Sequence, residues 1–228
     1  MRHYKAIFLD WDDTIGDFHH AERHALRDIY DKYGLRDIYP QFEDYYNVYH
    51  PHNLLLWDKY GRSEVTKKQL QLDRFLYPLK GGIANTATAA EMGDDFLDFT
   101  NNYFSLMPYA GEVVRYLAQR YPLTIVSNGF SEVQYKKIQL SGLQDCFLHI
   151  VLSEEVGAQK PNPLIYQKAL EQNGLNAEDV LMIGDSYNSD IQGAINAGID
   201  QLWITQDNND TRPATYRVPD IRQIMELL

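Results

Sequence analysis

Residues 4–18, YKAIFLDWDDTIGDF, carry an apolar run that ends abruptly on three acids, Asp10, Asp12 and Asp13. The run YKAIFL (4–9) is short and rich in aromatic and branched side chains, which predicts a buried strand ending at Asp10. Acids this close together repel one another and take up protons unless a cation neutralises them. The stretch therefore predicts a strand whose carboxyl end is a solvated turn or, if further acids join it, a place for a cation.

Working outward, runs of the same kind recur at 122–127 (PLTIVS), 148–152 (LHIVL), 179–183 (DVLMI) and 200–204 (DQLWI). The spacing between them predicts helices over about 111–120, 131–141, 163–173 and 188–197. Ser131 suits an N-cap, Asn162-Pro163 a helix start, and Gly142, Gly174 and Gly198 the positions just past helix ends. Strands alternating with helices predict an α/β fold, a doubly wound, Rossmann-like parallel sheet covered on both faces. Residues 18–105 break the rhythm: their pattern is helical, with turns near Gly34, Gly61 and Gly81-Gly82 and no convincing strand. The expected organisation is a catalytic α/β core from 1–17 and 106–228, with an all-helical cap domain inserted at 18–105.

Composition narrows the function classes. The chain has 228 residues, 44% hydrophobic and 23% charged, as expected of a protein with a proper core. Its single cysteine, Cys146, excludes a disulfide framework and fits a reducing compartment. No basic leader precedes an apolar segment, and no run approaches the ~20 residues a membrane helix needs. A cytoplasmic protein, monomer or homodimer, is expected. The net charge of −11, from 21 basic and 32 acidic residues, repels nucleic acid and anionic membranes. An anionic small-molecule substrate therefore needs a metal or a local cluster of cations.

Open parallel sheets bind ligands at the carboxyl ends of their strands. The first strand delivers Asp10 and Asp12 there, the second Ser127-Asn128-Gly129, the loop after the third Lys160, and the fourth Gly184-Asp185 with Asp190 five residues on. Such a set suits a hard divalent cation held by oxygen ligands, beside a phosphoryl group held by a hydroxyl, a lysine and backbone N–H groups. No G-x-S-x-G elbow surrounds Ser127, because Ile125 stands where the first glycine belongs. Walker A and dinucleotide fingerprints are absent as well.

D-x-D-x-T (Asp10, Asp12, Thr14), Ser127-Asn128, Lys160-Pro161 and G-D-x-x-x-x-D (Gly184, Asp185, Asp190) resemble, in order and spacing, the four motifs of the haloacid dehalogenase-like (HAD) phosphohydrolases. The resemblance covers the whole chain, since that superfamily also places a helical cap between its first two motifs. The stretches SNGFSEVQYKKIQLSGLQDCF, SEEVGAQKPNPLIY and GDSYNSDIQGAINAG look most like the pyrimidine 5′-nucleotidases. The resemblance implies a Mg²⁺-dependent phosphatase acting on small phosphate monoesters, nucleoside 5′-monophosphates first among them. Asp10 would attack phosphorus to give an aspartyl-phosphate, and Asp12 would serve as acid and then base. Asp10, the backbone carbonyl of Asp12 and Asp185 would hold Mg²⁺. Ser127, the Asn128 N–H and Lys160 would hold the transferring oxygens, with Asp190 orienting Lys160 and Thr14 structural. Phe18 and His19, flanking the first motif, are candidate contacts to the leaving group.

Other readings stay in view. Sugar-phosphate and phosphoglycolate phosphatases and phosphosugar mutases share this core, and haloacid dehalogenases proper typically lack the second acid that Asp12 supplies. From another class, a receiver-like phospho-acceptor uses a similar residue set in a different order, in a shorter chain without a cap; a silent binding protein would keep the fold alone. Trp11 is expected to pack away from its acidic neighbours, and Asp13 to be an exposed turn residue. Lys136 and Lys137 read as a solvated helix face. The aromatics Tyr45, Tyr46, Tyr49, Trp57, Tyr60, Phe75 and Tyr77 have the helical spacing of a core. His20 and His24, at i, i+4, lack further metal ligands nearby in sequence.

Overall fold

In the computed structural model, which describes residues 3–81 and 83–228, the apolar runs assemble into a single parallel sheet. The strands are β1 (Ala6–Leu9), β2 (Leu123–Ser127), β3 (His149–Leu152), β4 (Val180–Gly184), β5 (Asp200–Ile204) and β6 (Tyr216–Val218), in the order β3-β2-β1-β4-β5-β6. The register sets Leu9, the last residue of β1, opposite Ile125 of β2 and Ile183 of β4, so β2 runs two residues and β4 one residue past the end of β1. The expected runs all become strands. β6 is an addition that the sequence pattern does not signal: it is three residues long and buries only Val218.

Two-residue alternation sends Ala6 and Phe8 to one face and Ile7 and Leu9 to the other, and all four are fully buried. Phe8 joins Val126, Met182, Ile165 and Tyr166 in a core beneath the covering helices. A sheet buried on both faces explains why these strands read as unbroken apolar runs.

The helices are α1 (Phe18–Lys32), α2 (Phe42–Gly61), α3 (Lys67–Leu76), α4 (Ile83–Asn102), α5 (Ala110–Ala118), α6 (Ser131–Ser141), α7 (Ser153–Val156), α8 (Pro163–Asn173), α9 (Gln192–Asn196) and α10 (Ile224–Leu227). Asn162 caps α8 as expected, accepting from Leu164 N at 3.0 Å. Gly142 and Gly174 end α6 and α8 with positive φ. Ser131 does not cap α6. It is the first helical residue after an extended Phe130, and its backbone N–H is satisfied from outside by the Glu154 carboxylate at 2.9 Å. The expected helix over 188–197 is split: Tyr187–Ile191 forms a wider π-type turn, and only Gln192–Asn196 is α-helical. Gly82, half of the expected Gly81-Gly82 turn, lies outside the described residues; Gly81 has φ of 68°.

The chain packs as two units, one formed by Met1–Phe18 with Ser105–Leu228 and the other by His19–Phe104. The second unit is helical throughout its regular elements. Its α1 turns Ala21, Ala25, Leu26 and Ile29 inward at helical spacing. Tyr45, Tyr49, Phe75 and Phe96 form its aromatic centre, with Tyr49 and Phe75 centroids 5.3 Å apart. Most of the aromatics thus pack as a core; Tyr77, 56% exposed, stacks on His52 instead. No helix among the described residues is long and apolar enough to cross a membrane.

Candidate active site

Asp10 follows β1 directly, and its backbone N–H donates to Ile183 O of β4 at 3.0 Å, which pins the nucleus of the site to the sheet. Asp185 follows β4, and Ser127 ends β2. All of these lie at the carboxyl ends of adjacent parallel strands, where the strand order turns back on itself about β1.

Lys160 binds this rim together. Its ammonium donates to Asp10 Oδ1 at 2.5 Å and to Asp190 Oδ1 at 2.7 Å, with all three side chains buried. Burial opposes the Lys160 charge, but the two carboxylates outweigh it and hold the group above the ordinary lysine range. The loop carrying Lys160 is fixed by Asn128, whose side chain accepts from Lys160 N at 2.7 Å and donates to Lys160 O at 3.0 Å. Asn128 therefore gives its side chain to the scaffold.

Asp190 sits in the π-type turn, where its second oxygen accepts from Ser186 N at 3.0 Å. Thr14 donates to Asp185 Oδ1 at 3.0 Å and accepts from Asp185 N at 3.1 Å, joining the loops after β1 and β4. Trp203 Nε1 donates to Asp185 O at 2.7 Å from the next strand.

One oxygen from each of Asp10, Asp185 and Asp190 lies within 4.8 Å of the others. Burial pushes the Asp10 carboxyl well up, Asp190 adds to that shift, and Lys160 pulls against it. Asp185 is pushed up to about 7 by burial and by Asp190 and Asp13. Three carboxyl groups crowded this closely form a cradle suited to a hard cation with oxygen ligands.

Asp12 turns away from this trio. Its Oδ1 accepts from Lys137 Nζ at 2.7 Å and its Oδ2 from Gln134 Nε2 at 2.8 Å. The sequence reading places Lys137 on a solvated face, and the structure corrects this: Lys136 is exposed, but the Lys137 side chain is only 7% exposed. Gln134, fully buried, is a site-lining residue the sequence reading does not single out. Position 137 does lie at i+3 from 134 on the helix after Ser127-Asn128-Gly129, a spacing that shares a face. Asp13 is half-buried with φ of 60°, not exposed. Trp11 is buried edge-on against Phe147, as its alternation predicts. Phe18 lies in the same unit with its ring 4.2 Å from Lys137 Nζ, whereas His19 belongs to the helical unit and meets His50 edge-on at 6.5 Å.

The site is thus a buried carboxylate gripped by a lysine, a second carboxylate held apart from it, and a three-acid cradle between two strand ends. The whole chain is similar to known proteins. The pyrimidine 5′-nucleotidase PynA of Streptococcus pneumoniae is 32% identical over 232 residues, covering 99% of this chain and 95% of its own. The glyceraldehyde 3-phosphate phosphatase of Pyrococcus abyssi is 29% identical over 87% of this chain and 80% of its own. The crystal structure of the HAD-hydrolase YfnB of Bacillus subtilis bound to magnesium superposes with a TM-score of 0.84 at 30% identity, covering 100% of this chain and 99% of that one. The haloacid dehalogenase-like hydrolase profile matches residues 4–198, and with these relatives in view the chain belongs to the haloacid dehalogenase-like hydrolase family.

Proposed function

We propose that this hydrolase is a Mg²⁺-dependent phosphatase of small phosphate monoesters, nucleoside 5′-monophosphates first among them, working through an aspartyl-phosphate on Asp10. The observation that carries the reading is the pairing of Asp10 with Lys160 at 2.5 Å beside the Asp185 and Asp190 carboxylates. Lys160 pulls the Asp10 carboxyl down against the burial that raises it, and a bound cation would add to that pull.

Magnitude explains why so many parts are assembled. Phosphate monoester hydrolysis demands acceleration of up to ~10²¹, and general acid–base catalysis supplies only about 10² to 10⁴. Nucleophile, acid, clamp and cation must therefore act together.

Asp10 Oδ attacks phosphorus as the bond from phosphorus to the leaving oxygen breaks, and Asp12 delivers its proton to that oxygen. Water then attacks the phosphorus of the acyl phosphate, Asp12 takes the water's proton, and Asp10 is released with inorganic phosphate. Ser127, the Asn128 N–H and Lys160 hold the non-bridging oxygens, and Asp190 holds Lys160. Mg²⁺ would be held by Asp10, Asp185 and the backbone carbonyl of Asp12. When bound, it supplies positive charge against the transferring phosphoryl group. The helical unit His19–Phe104 serves as the cap that selects substrates.

The nucleotide branch is supported by likeness to PynA, and the sugar-phosphate reading by likeness to a glyceraldehyde 3-phosphate phosphatase. The test is phosphate release from a panel of 5′-nucleotides and sugar phosphates, with and without Mg²⁺, using Asp10→Asn as the blank. Turnover concentrated on pyrimidine monophosphates and abolished in Asp10→Asn is expected. Preference for sugar phosphates would move the chain to the second reading, and residual activity near wild type in Asp10→Asn would remove the nucleophile.

A further inference from the structure

We propose that Gln134 and Lys137 are positioning residues that hold Asp12 for proton transfer, and that position 129 is glycine because the Gln134 side chain passes through the space a Cβ would fill. The inference rests on the reading of Asp12 as the acid and base of a phosphatase.

Asp12 stands on the loop after β1, and α6 supplies a separate donor to each of its oxygens: Lys137 Nζ at 2.7 Å and Gln134 Nε2 at 2.8 Å. With both oxygens engaged, the carboxyl group is fixed in rotation as well as in place. Both donors are buried, and Phe18 lies over the lysine at 4.2 Å, a cation–π contact that shields the pair from water. Burying a lysine and an amide is unfavourable unless their partners are well placed, so their location calls for a reason.

Gln134 does more than grip Asp12. The same Nε2 donates to Ser127 Oγ at 2.6 Å, and Gly129 N donates to that hydroxyl at 3.2 Å. A hydroxyl has two acceptor positions and one hydrogen to donate. With both acceptor positions filled from within the protein, the Ser127 hydrogen is left to point at an outside acceptor, as a group that holds a phosphoryl oxygen must. One amide thus sets the direction of Ser127 and the position of Asp12 together.

Gly129 supplies the independent mark of this arrangement. A Cβ built there would lie 2.4 Å from Gln134 Nε2, 2.5 Å from its Cδ and 2.7 Å from its Cγ. These contacts run along most of the amide arm, so a bend at its tip would not relieve them. Gly129 is absent from the residues with positive φ, so the requirement is for space and not for an unusual backbone. Gly129, Gln134 and Lys137 form one device.

The test compares kcat/KM for 4-nitrophenyl phosphate, whose leaving group departs without a proton, with kcat/KM for the alkyl phosphate turned over fastest in the panel, at saturating Mg²⁺. Lys137→Met, Lys137→Arg and Gln134→Leu are made alone and in an Asp12→Asn background. Lys137→Met and Gln134→Leu are expected to lower the alkyl-to-nitrophenyl ratio about 100-fold, since small misplacements of a catalytic group cost rates of that order. Lys137→Arg, which keeps a donor, should recover part of it. In the Asp12→Asn background the same changes should lower alkyl turnover by less than about twofold, because residues acting through one group are not additive. Equal losses on both esters, or full losses persisting in Asp12→Asn, would overturn the proposal and make Lys137 and Gln134 independent contacts to the phosphoryl group. Should Lys137→Met fail to fold, Lys137→Arg and Gln134→Leu carry the same comparison. A wild-type protein that releases no phosphate would overturn the phosphatase reading, a result distinct from any of these.

Discussion

Asp185 is pushed up to about 7, because burial disfavours its charge and Asp190 and Asp13 stand near it. Asp10 is shifted the same way, by burial first. In the unfolded chain an aspartate releases its proton near ~4. Between those values the folded chain binds more protons than the unfolded one, so the metal-free protein loses stability as pH rises from about 4 through about 7. The proposed divalent cation would compete with these protons and stabilise the deprotonated site. Mg²⁺ is therefore expected to raise the Tm by little at about pH 5 and by several degrees at about pH 8, read in thermal scans against a chelator control. Equal shifts at both would show that the cation is held by other groups. Asp10, Ser127 and Asp185 were legible in the sequence because each stands at the end of an apolar run that announces a strand, and Lys160 because it lies in the loop after the third such run. Lys137 was not, because a Lys-Lys pair reads the same whether both side chains are in water or one turns inward; the tertiary path of α6 alone decides it.

The wide turn after β4 shows how an element can be built around one side chain. Ser186 N and Lys160 Nζ both hold Asp190, which lies against the end of the strand. A Cβ at Gly184 would come within 2.4 Å of Asp190 Oδ2 and 2.6 Å of its Cβ, so the whole aspartate would have to move. Gly184→Ala is expected to lower kcat by at least about tenfold and stability by about 1–3 kcal/mol, as overpacking does. Phosphate release and a denaturant melt read the two effects; unchanged kcat would mean that Lys160 keeps its place without Asp190. The central strands were legible because both their faces are buried, which leaves continuous apolar runs. β6 was not, since an edge strand with one buried residue has no such run. The π-type turn was hidden too: its sequence keeps helical spacing, and the departure comes from Asp190 reaching back to Ser186 N.

The parallel order of the sheet follows from strands alternating with helices, and the helical insertion from the loss of that alternation after Phe18. What the linear pattern carries less well is the balance of charge. The molecule has a net charge of −11. At the site, Asp10, Asp12, Asp13, Asp185 and Asp190 face Lys137 and Lys160, and the proposed divalent cation would leave the loaded centre with about one negative charge. The proposed substrate, a dianionic phosphate monoester, would therefore meet no strong local attraction to set against the negative field of the whole molecule. Screening should help it: the Debye length falls from ~30 Å at ~0.01 M salt to ~10 Å at ~0.1 M. With Mg²⁺ saturating throughout, kcat/KM is expected to rise by about two- to fivefold across that range of sodium chloride, carried mainly by KM. A fall in kcat/KM would mean that positive charge near Lys137 and Lys160 dominates the approach of the substrate, and that the net charge of the chain is felt elsewhere on its surface.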